Sequence, residues 1–195
     1  FYELDLTRRV VEVAKKRGGL MVDVGANAGY FSLLWLSQRP ENRCILFEPA
    51  PRNVALIRRN LEKNGFADRA DLRPLALGRE AGQMSFDLGP QDQTGWGGLK
   101  KDEEGRAITV PVSRLDAEVD ELVSFLKIDT EGADAWVIEG GRRLFENKLV
   151  DEVRFENNMD RAQSLGISKG EAEAHLRAAG YTVDRLGRDF KAVPA

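Results

Sequence analysis

The stretch "VDVGANAGYFS", residues 22–32, decides how the rest of the chain is read. An apolar run over residues 20–24 ends in a turn holding Gly25, Asn27 and Gly29, and aromatic and aliphatic residues then continue to residue 36, before Pro40. That order is strand, glycine turn, helix. Glycines let the backbone reverse and approach a ligand closely, while the helix that follows offers unpaired N–H groups and the positive end of its dipole. A nucleotide-like ligand is expected. A dinucleotide pyrophosphate requires G-x-G-x-x-G, but counted from Gly25 the second glycine position holds Asn27 and the third holds Tyr30. Asp23 would also repel a pyrophosphate, whereas it suits the ammonium of an amino acid.

The alternation continues outward from this turn. Residues 43–47 make a second buried strand closed by Glu48 and Pro49; residues 52–63 carry Val54, Leu56, Ile57 and Leu61 at helical spacing, and Asn64-Gly65 stops that helix. Residues 70–77 read as a third strand. Residues 83–88 and 108–112 read as alternating strands on either side of a long exposed loop over 89–105, which is rich in glycine and charge. A fourth core strand over 125–128 leads to a helix over 135–145, and residues 149–155 form a fifth strand. A helix over 169–179 ends at Gly180, and residues 181–184 and 190–193 pair as a terminal hairpin. Strands alternating with helices imply a mostly parallel sheet covered on both faces, with ligands at the carboxyl ends of the strands. Glu48 lies 25 residues after Asp23, where it can accept hydrogen bonds from two ribose hydroxyls. An amino acid joined to a ribose describes S-adenosylmethionine.

Composition narrows the partners. The 195 residues fit one domain over 1–195; because residue 1 is Phe rather than Met, a preceding segment is expected, and part of the acceptor site with it. A net charge of -3, from 29 basic and 32 acidic residues, gives no global attraction to nucleic acid. No apolar run is long enough to span a bilayer and no signal-peptide pattern opens the chain, so no membrane partner and a cytoplasmic location are expected. Cys44 is the single cysteine and reads as a core thiol in a reducing compartment.

Five segments carry a family resemblance: "VDVGANAGYFS", "LFEPAPRNVALIRRNLEKN", "LALG" with Gly82 soon after, "RLD" at 114–116, and "LKIDTEGADAWVIEGG". In this order and with these gaps, roughly over residues 1–157, the chain resembles the FkbM-type family of S-adenosylmethionine-dependent methyltransferases. The resemblance implies the class I methyltransferase fold, a Rossmann-like three-layer α/β sandwich whose seven-stranded sheet is mostly parallel with an antiparallel last strand. It maps cofactor contacts onto Asp23, Gly25, Asn27 and Gly29 for the methionine part, with Ala26, Tyr30 and Phe31 in the same turn and helix start. Glu48 would take the ribose, Pro49, Ala76 and Leu77 would border the adenine, and Asp129 belongs to the cofactor set as well as to the catalytic candidates. Tyr2-Glu3 looks like an upstream aromatic-acid pair of the family, which brings Glu3 into the cofactor set. The acceptor class that goes with the resemblance is a hydroxyl on a sugar or other small metabolite, methylated on oxygen and leaving S-adenosylhomocysteine. Methylation of an amine or macromolecule, and non-catalytic nucleotide binding, are the competing readings.

A sulfonium is already a good leaving system, so the enzyme must mainly align the acceptor and manage its proton. An alcohol with a pKa of about 16 cannot be ionised in advance by a carboxylate near 4, because about 12 units at 1.36 each is roughly 16 kcal/mol. Proton transfer must come late, or a metal must lower the acceptor's pKa. Asp129, Glu131 and Glu156 follow the fourth and fifth strands and are the candidate catalytic carboxylates. The plainer alternative is that Asp129 caps the next helix and Glu131 makes a structural hydrogen bond. Such carboxylates can hold Mg²⁺ through oxygen, but no further ligand cluster supports a metal, so Mg²⁺ is possible and not favoured. His175, on a late helix, reads as structural; Trp35 and Trp136 read as core, and Trp96 as a lid or stacking platform.

Overall fold

A computed structural model describes residues 3–88, 97–100, 107–156 and 158–195. In chain order the elements are α1 (Leu4–Lys16), β1 (Leu20–Val24), α2 (Tyr30–Leu36), β2 (Arg43–Phe47), α3 (Pro51–Asn64), β3 (Ala70–Arg73), β4 (Ala76–Leu77), β5 (Gly82–Asp87), β6 (Gly98–Lys100) and β7 (Ala107–Ser113). They continue with α4 (Leu115–Glu118), β8 (Phe125–Ile128), α5 (Asp134–Gly140), α6 (Arg142–Glu146), β9 (Val153–Glu156), α7 (Met159–Ser164), α8 (Glu171–Ala178), β10 (Tyr181–Leu186) and β11 (Asp189–Pro194).

β1 is buried at every position because it runs in the middle of the main sheet, between β2 and β8 and parallel to both. The sheet has seven strands in the order β10-β11-β9-β8-β1-β2-β3, and β11 runs antiparallel to both its neighbours. This is the class I methyltransferase, Rossmann-like arrangement expected from the sequence. Side chains alternate across β1. Leu20, Val22 and Val24 join the core beneath α5, α6 and α8, whereas Met21 packs with Trp35 of α2, Val13 of α1 and Ile57 of α3. Asp23 points to the same side as Met21, toward the α2 layer. That orientation later decides its role.

α1 was not legible as an element, yet it brings Glu3 and Leu6 to the mouth of the cavity described below. Val10, Val13 and Ala14 bury its inner face, and Arg9 forks onto the buried Glu152 at 3.0 and 2.6 Å. Burial opposes ionisation of Glu152, but hydrogen bonds from Arg9 and Arg154 outweigh it and hold the carboxyl below its ordinary range. Arg9→Met leaves Arg154 alone against that carboxylate, and the expected loss is about 3 kcal/mol in urea unfolding at pH 7. Because the folded carboxyl titrates low, its contribution is present above the ordinary glutamate value and fades as pH falls. The gap between Arg9→Met and the parent chain should therefore narrow in acid.

Several boundaries differ from the sequence reading. The strand expected over 70–77 is two strands, since Pro74 has no N–H to continue a ladder. β3 stays in the main sheet while β4 joins a separate four-stranded sheet, β4-β7-β5-β6. Part of the expected 89–105 loop is strand β6, whose Gly98 and Leu99 are buried against β5; Trp96 and the remainder, 89–96 and 101–105, lie outside the described residues. The helix expected over 135–145 is two helices meeting at Gly141. A Cβ on Gly140 would sit 2.1 Å from the Gly78 carbonyl oxygen, so α5 can approach the end of β4 only with glycine there. The strand expected over 149–155 is shorter, Val153–Glu156.

Trp35, Trp136 and Cys44 are buried as expected, and His175 is half-buried beside Glu139 and Glu171, away from the cavity. No helix among the described residues is long and apolar enough to cross a membrane.

Candidate active site

The glycine turn is bolted to the end of β2. Gly25 and Ala26 donate their N–H groups to the Phe47 carbonyl at 3.0 and 3.1 Å, and Asn27 donates to Glu48 Oε2 at 2.8 Å. Glu48 Oε1 accepts from Ala50 N–H at 2.9 Å. Gly25, Asn27 and Gly29 all have positive φ, at 75°, 53° and 79°. Asparagine is among the few side chains that adopt this left-handed backbone readily, so Asn27 performs a glycine's conformational task.

Above this turn, at the carboxyl ends of β1, β2, β8 and β9, lies a cavity of about 360 Å³, within the range of small-molecule and cofactor sites. Its lining is mixed: Phe47, Pro49, Leu77, Phe86 and Leu99 are apolar, while Lys127, Arg154, Arg188 and several carboxylates bring charge. Among the residues expected from sequence, Glu3, Gly25, Asn27, Glu48, Pro49, Ala76, Leu77, Asp129, Glu131 and Glu156 line it. Ala26, Gly29, Tyr30 and Phe31 do not: Ala26 and Phe31 are packed in the core, Gly29 starts α2, and Tyr30 is 43% exposed.

Asp23 requires a correction. Its carboxylate is 0% exposed and lines no part of the cavity. Oδ2 accepts the Ser32 hydroxyl at 2.7 Å, and Oδ1 faces Lys127 Nζ at 3.4 Å. Being on the α2 face of β1, it is roofed by that helix and cannot reach a ligand directly.

The three candidate catalytic carboxylates do converge. Asp129, Glu131 and Glu156 each place an oxygen within 4.8 Å of the others. The register explains part of this: Ile128 pairs with Phe155 across β8 and β9, so the next residues, Asp129 and Glu156, emerge side by side. Glu131 sits on the turn after β8 with φ 55°, and accepts from Asn158 Nδ2 at 2.7 Å, with Arg161 Nη1 3.9 Å away. The plainer alternative holds in part, since Glu131 does make that hydrogen bond. The first residue of α5, Asp134, accepts the Thr130 N–H at 3.0 Å and the Thr130 hydroxyl, while Asp129 lines the cavity.

Crowding shifts the ionisation of this group. Glu156 is pushed up to about 7, first by burial and then by the negative charges of Asp129, Glu131, Asp189 and Glu3. Glu131 is raised by burial and by Asp129. Glu48 is also raised by burial, although backbone N–H donors work against the shift.

Four charged lining residues, Lys127, Arg154, Arg188 and Asp189, are absent from the sequence expectations. Lys127 is 3% exposed in a strand buried at every position, and a charge in the motif "FLKI" was itself a signal, because a buried charge requires partners. Arg188 and Asp189 carry no such signal. They reach the cavity only because β11 inserts beside β9, which is a tertiary event.

Comparison with known proteins agrees with this geometry. The model of the methyltransferase FkbM domain matches residues 23–183. "Methyltransferase 1" of Beauveria bassiana is 29% identical over 181 residues, covering 79% of this chain and 72% of its own length. The 2-O-methyltransferase NoeI of Sinorhizobium fredii is 27% identical over 181 residues, covering 80% of this chain and 73% of its own. Among solved structures, the methyltransferase FkbM of Methylobacillus flagellatus superposes with a TM-score of 0.63 at 17% identity, a likeness of fold. It covers 90% of this chain, which spans 43% of that protein. With the glycine turn, Glu48 and the carboxylates after β8 falling inside the matched region, the chain belongs to the FkbM family of methyltransferases.

Proposed function

We propose that this chain methylates a hydroxyl of a sugar or other small metabolite on oxygen, with S-adenosylmethionine as donor. The observation that carries the reading is the convergence of Asp129, Glu131 and Glu156 in the wall of a cavity that also has an apolar lining. The residues suit the cofactor: Glu48 accepts from two backbone N–H groups and the Asn53 side chain and keeps capacity for a ribose hydroxyl, and Phe47, Pro49 and Leu77 offer apolar surface for a purine. The bound cofactor supplies an activated methyl group.

The chain's own residues do the rest. Glu131, braced by Asn158, and the neighbouring Glu156 accept hydrogen bonds from acceptor hydroxyls and so align the attacking oxygen. Glu156 then receives the proton late, as the oxygen becomes positive. Carboxylates placed this closely fit a polyol, whose adjacent hydroxyls each donate to one of them, and a 2-O-methyltransferase among the relatives points the same way. Lys127 and Arg161 already bring positive charge to the cluster, at 3.4 Å from Asp129 and 3.9 Å from Glu131, so the reading is of transfer without Mg²⁺.

Two measurements test this. Labelled S-adenosylmethionine offered with panels of sugars, other alcohols and amines should give transfer to hydroxyls, undiminished by a chelator; transfer confined to amines would overturn the acceptor reading. Calorimetry should show S-adenosylhomocysteine binding in preference to NAD, and Glu48→Ala should weaken it by about 100-fold or more, because ribose acceptors and the anchor of the turn go together. Unchanged affinity in that variant would remove Glu48 from the site.

A further inference from the structure

Methyl transfer from a sulfonium to an alcohol yields a thioether, an ether and one proton, and that proton must reach solvent while cofactor and acceptor fill the cavity. We propose that Glu156 passes it out through a second pocket on its other side, where Asp134 fixes the water that carries it. The inference rests on Glu156 as the proton acceptor and deepens that reading. Asp134 is in this scheme a positioning residue, acting through a water and not touching the acceptor.

The second pocket has a volume of about 30 Å³, room enough for a water, and its lining includes Asp134, Phe155, Glu156, Asn158 and Ser168. Phe155 and Glu156 line the main cavity as well, so the end of β9 is the wall between the two spaces. Ser168 is exposed, which brings the pocket to the protein surface.

Asp134 is 4% exposed. Its Oδ1 accepts both the N–H and the hydroxyl of Thr130, while Oδ2 is buried with no hydrogen-bond partner among the described residues. A buried carboxyl oxygen left in that state costs about 1–3 kcal/mol, and a water in the adjoining pocket removes the cost. Such a water needs two to four polar partners, and Asp134, Glu156 and Asn158 all line the space. Asn158 also donates to Glu131, so the pocket adjoins the brace of the acceptor site.

Ionisation fits this arrangement. Asp134 is pushed up to about 8 by burial, against the hydrogen bond from the Thr130 hydroxyl, and the negative charges of Asp129 and Glu156 add to the rise. Near neutral pH it is therefore an uncharged acid with an O–H to donate. A water that accepts this O–H turns its own hydrogens toward the Glu156 carboxylate. As the acceptor oxygen attacks, the new O–C bond forms, the C–S bond breaks with its electron pair going to sulfur, and the O–H proton moves to Glu156. From Glu156 it passes to the pocket water and on to solvent past Ser168.

Two experiments test the proposal. A crystal structure with S-adenosylhomocysteine should show an ordered water within hydrogen-bond distance of both Asp134 Oδ2 and Glu156; a dry pocket, or Oδ2 bonded to another protein group, overturns it. The second experiment follows the proton. In a single turnover with the sugar that reacts fastest in the acceptor panel, an indicator dye in weak buffer reports the proton, and quenched samples report S-adenosylhomocysteine. In the parent chain the two should appear together, ahead of product release.

Asp134→Asn keeps an oxygen for Thr130 and is uncharged like the acid it replaces. It should leave the rate of methyl transfer within about 3-fold while the proton appears about 10-fold later, with the products. A merely structural role would slow both signals in step, and that result overturns the proposal. So does a proton that trails methyl transfer in the parent chain, or one that keeps pace with it in Asp134→Asn. Ala162→Val, which narrows the pocket from α7 and leaves Asp134 in place, should show the same lag and decides the matter if Asp134→Asn does not fold. Parental methyl transfer in Glu156→Gln would instead refute Glu156 as proton acceptor, and no transfer to any hydroxyl of the panel would refute the acceptor reading; the exit route falls with either.

Discussion

Glu156→Gln should lower kcat by about 100- to 10,000-fold, the range for loss of a general base, while S-adenosylhomocysteine affinity stays within about 3-fold. Glutamine keeps the shape and the hydrogen-bonding carbonyl but cannot take a proton. The size of the effect follows from the proposed acceptor: an alcohol does not ionise ahead of attack, so its proton would leave as the new bond forms, and Glu156 stands where Asp129 and Glu131 converge. Its carboxyl, pushed up to about 7 by burial and neighbouring acids, is a stronger base than an ordinary glutamate. The ionised form is the active one. Rates should therefore rise with pH through about 7 and level above it, and the glutamine variant should lack that limb.

The same shift has a stability signature of opposite sense. Between the ordinary glutamate value and about 7, the folded state holds a proton that the unfolded state has lost, so the parent chain loses stability as pH rises through that window. Glu156→Gln removes the effect and should be the more stable protein at pH 8, as read by thermal unfolding. A variant with parental kcat would move the proton to Glu131 or leave positioning as the whole of catalysis.

Gly25→Ala should be the most damaging single methyl group in the site. A Cβ there would lie 1.9 Å from the Asp129 carbonyl oxygen, and the backbone already has φ 75°. The obstacle is main chain, which cannot swing aside, so the ends of β1 and β8 must part. Loss of about 4 kcal/mol or more in urea unfolding is expected, together with loss of S-adenosylhomocysteine binding. Gly29→Ala is the control. Its Cβ would meet Ile57 at an ordinary 3.5 Å, so only the left-handed backbone is penalised, by about 1–2 kcal/mol. Equal losses in the two variants would show that close approach to Asp129 is not what Gly25 provides.

The order of strands and helices, the turn, Glu48 and the three carboxylates were legible because local signals mark them: apolar runs, glycines, and acids at strand ends. Facing was harder. Asp23 was correctly placed on β1, but the cavity lies at the strand's end while that side chain points into the α2 layer, and only the packed helix reveals the seal. Lys127 escaped notice inside an apolar strand because its meaning lies in partners on β1 and beyond β8. The second sheet was missed for a similar reason, since β4 has two residues and β6 three, too few for a period to register.

β11 sits between β9 and β10 in the sheet, yet both of those neighbours precede it in the chain. Among the described residues β10 has no ladder partner but β11, so the two strands join the sheet as one hairpin whose second strand lies along the edge of β9. Asp189, which contributes to the shift of Glu156, reaches the cavity in the same event. Docking one hairpin thus does two things at once: it closes the sheet and helps set the ionisation of Glu156.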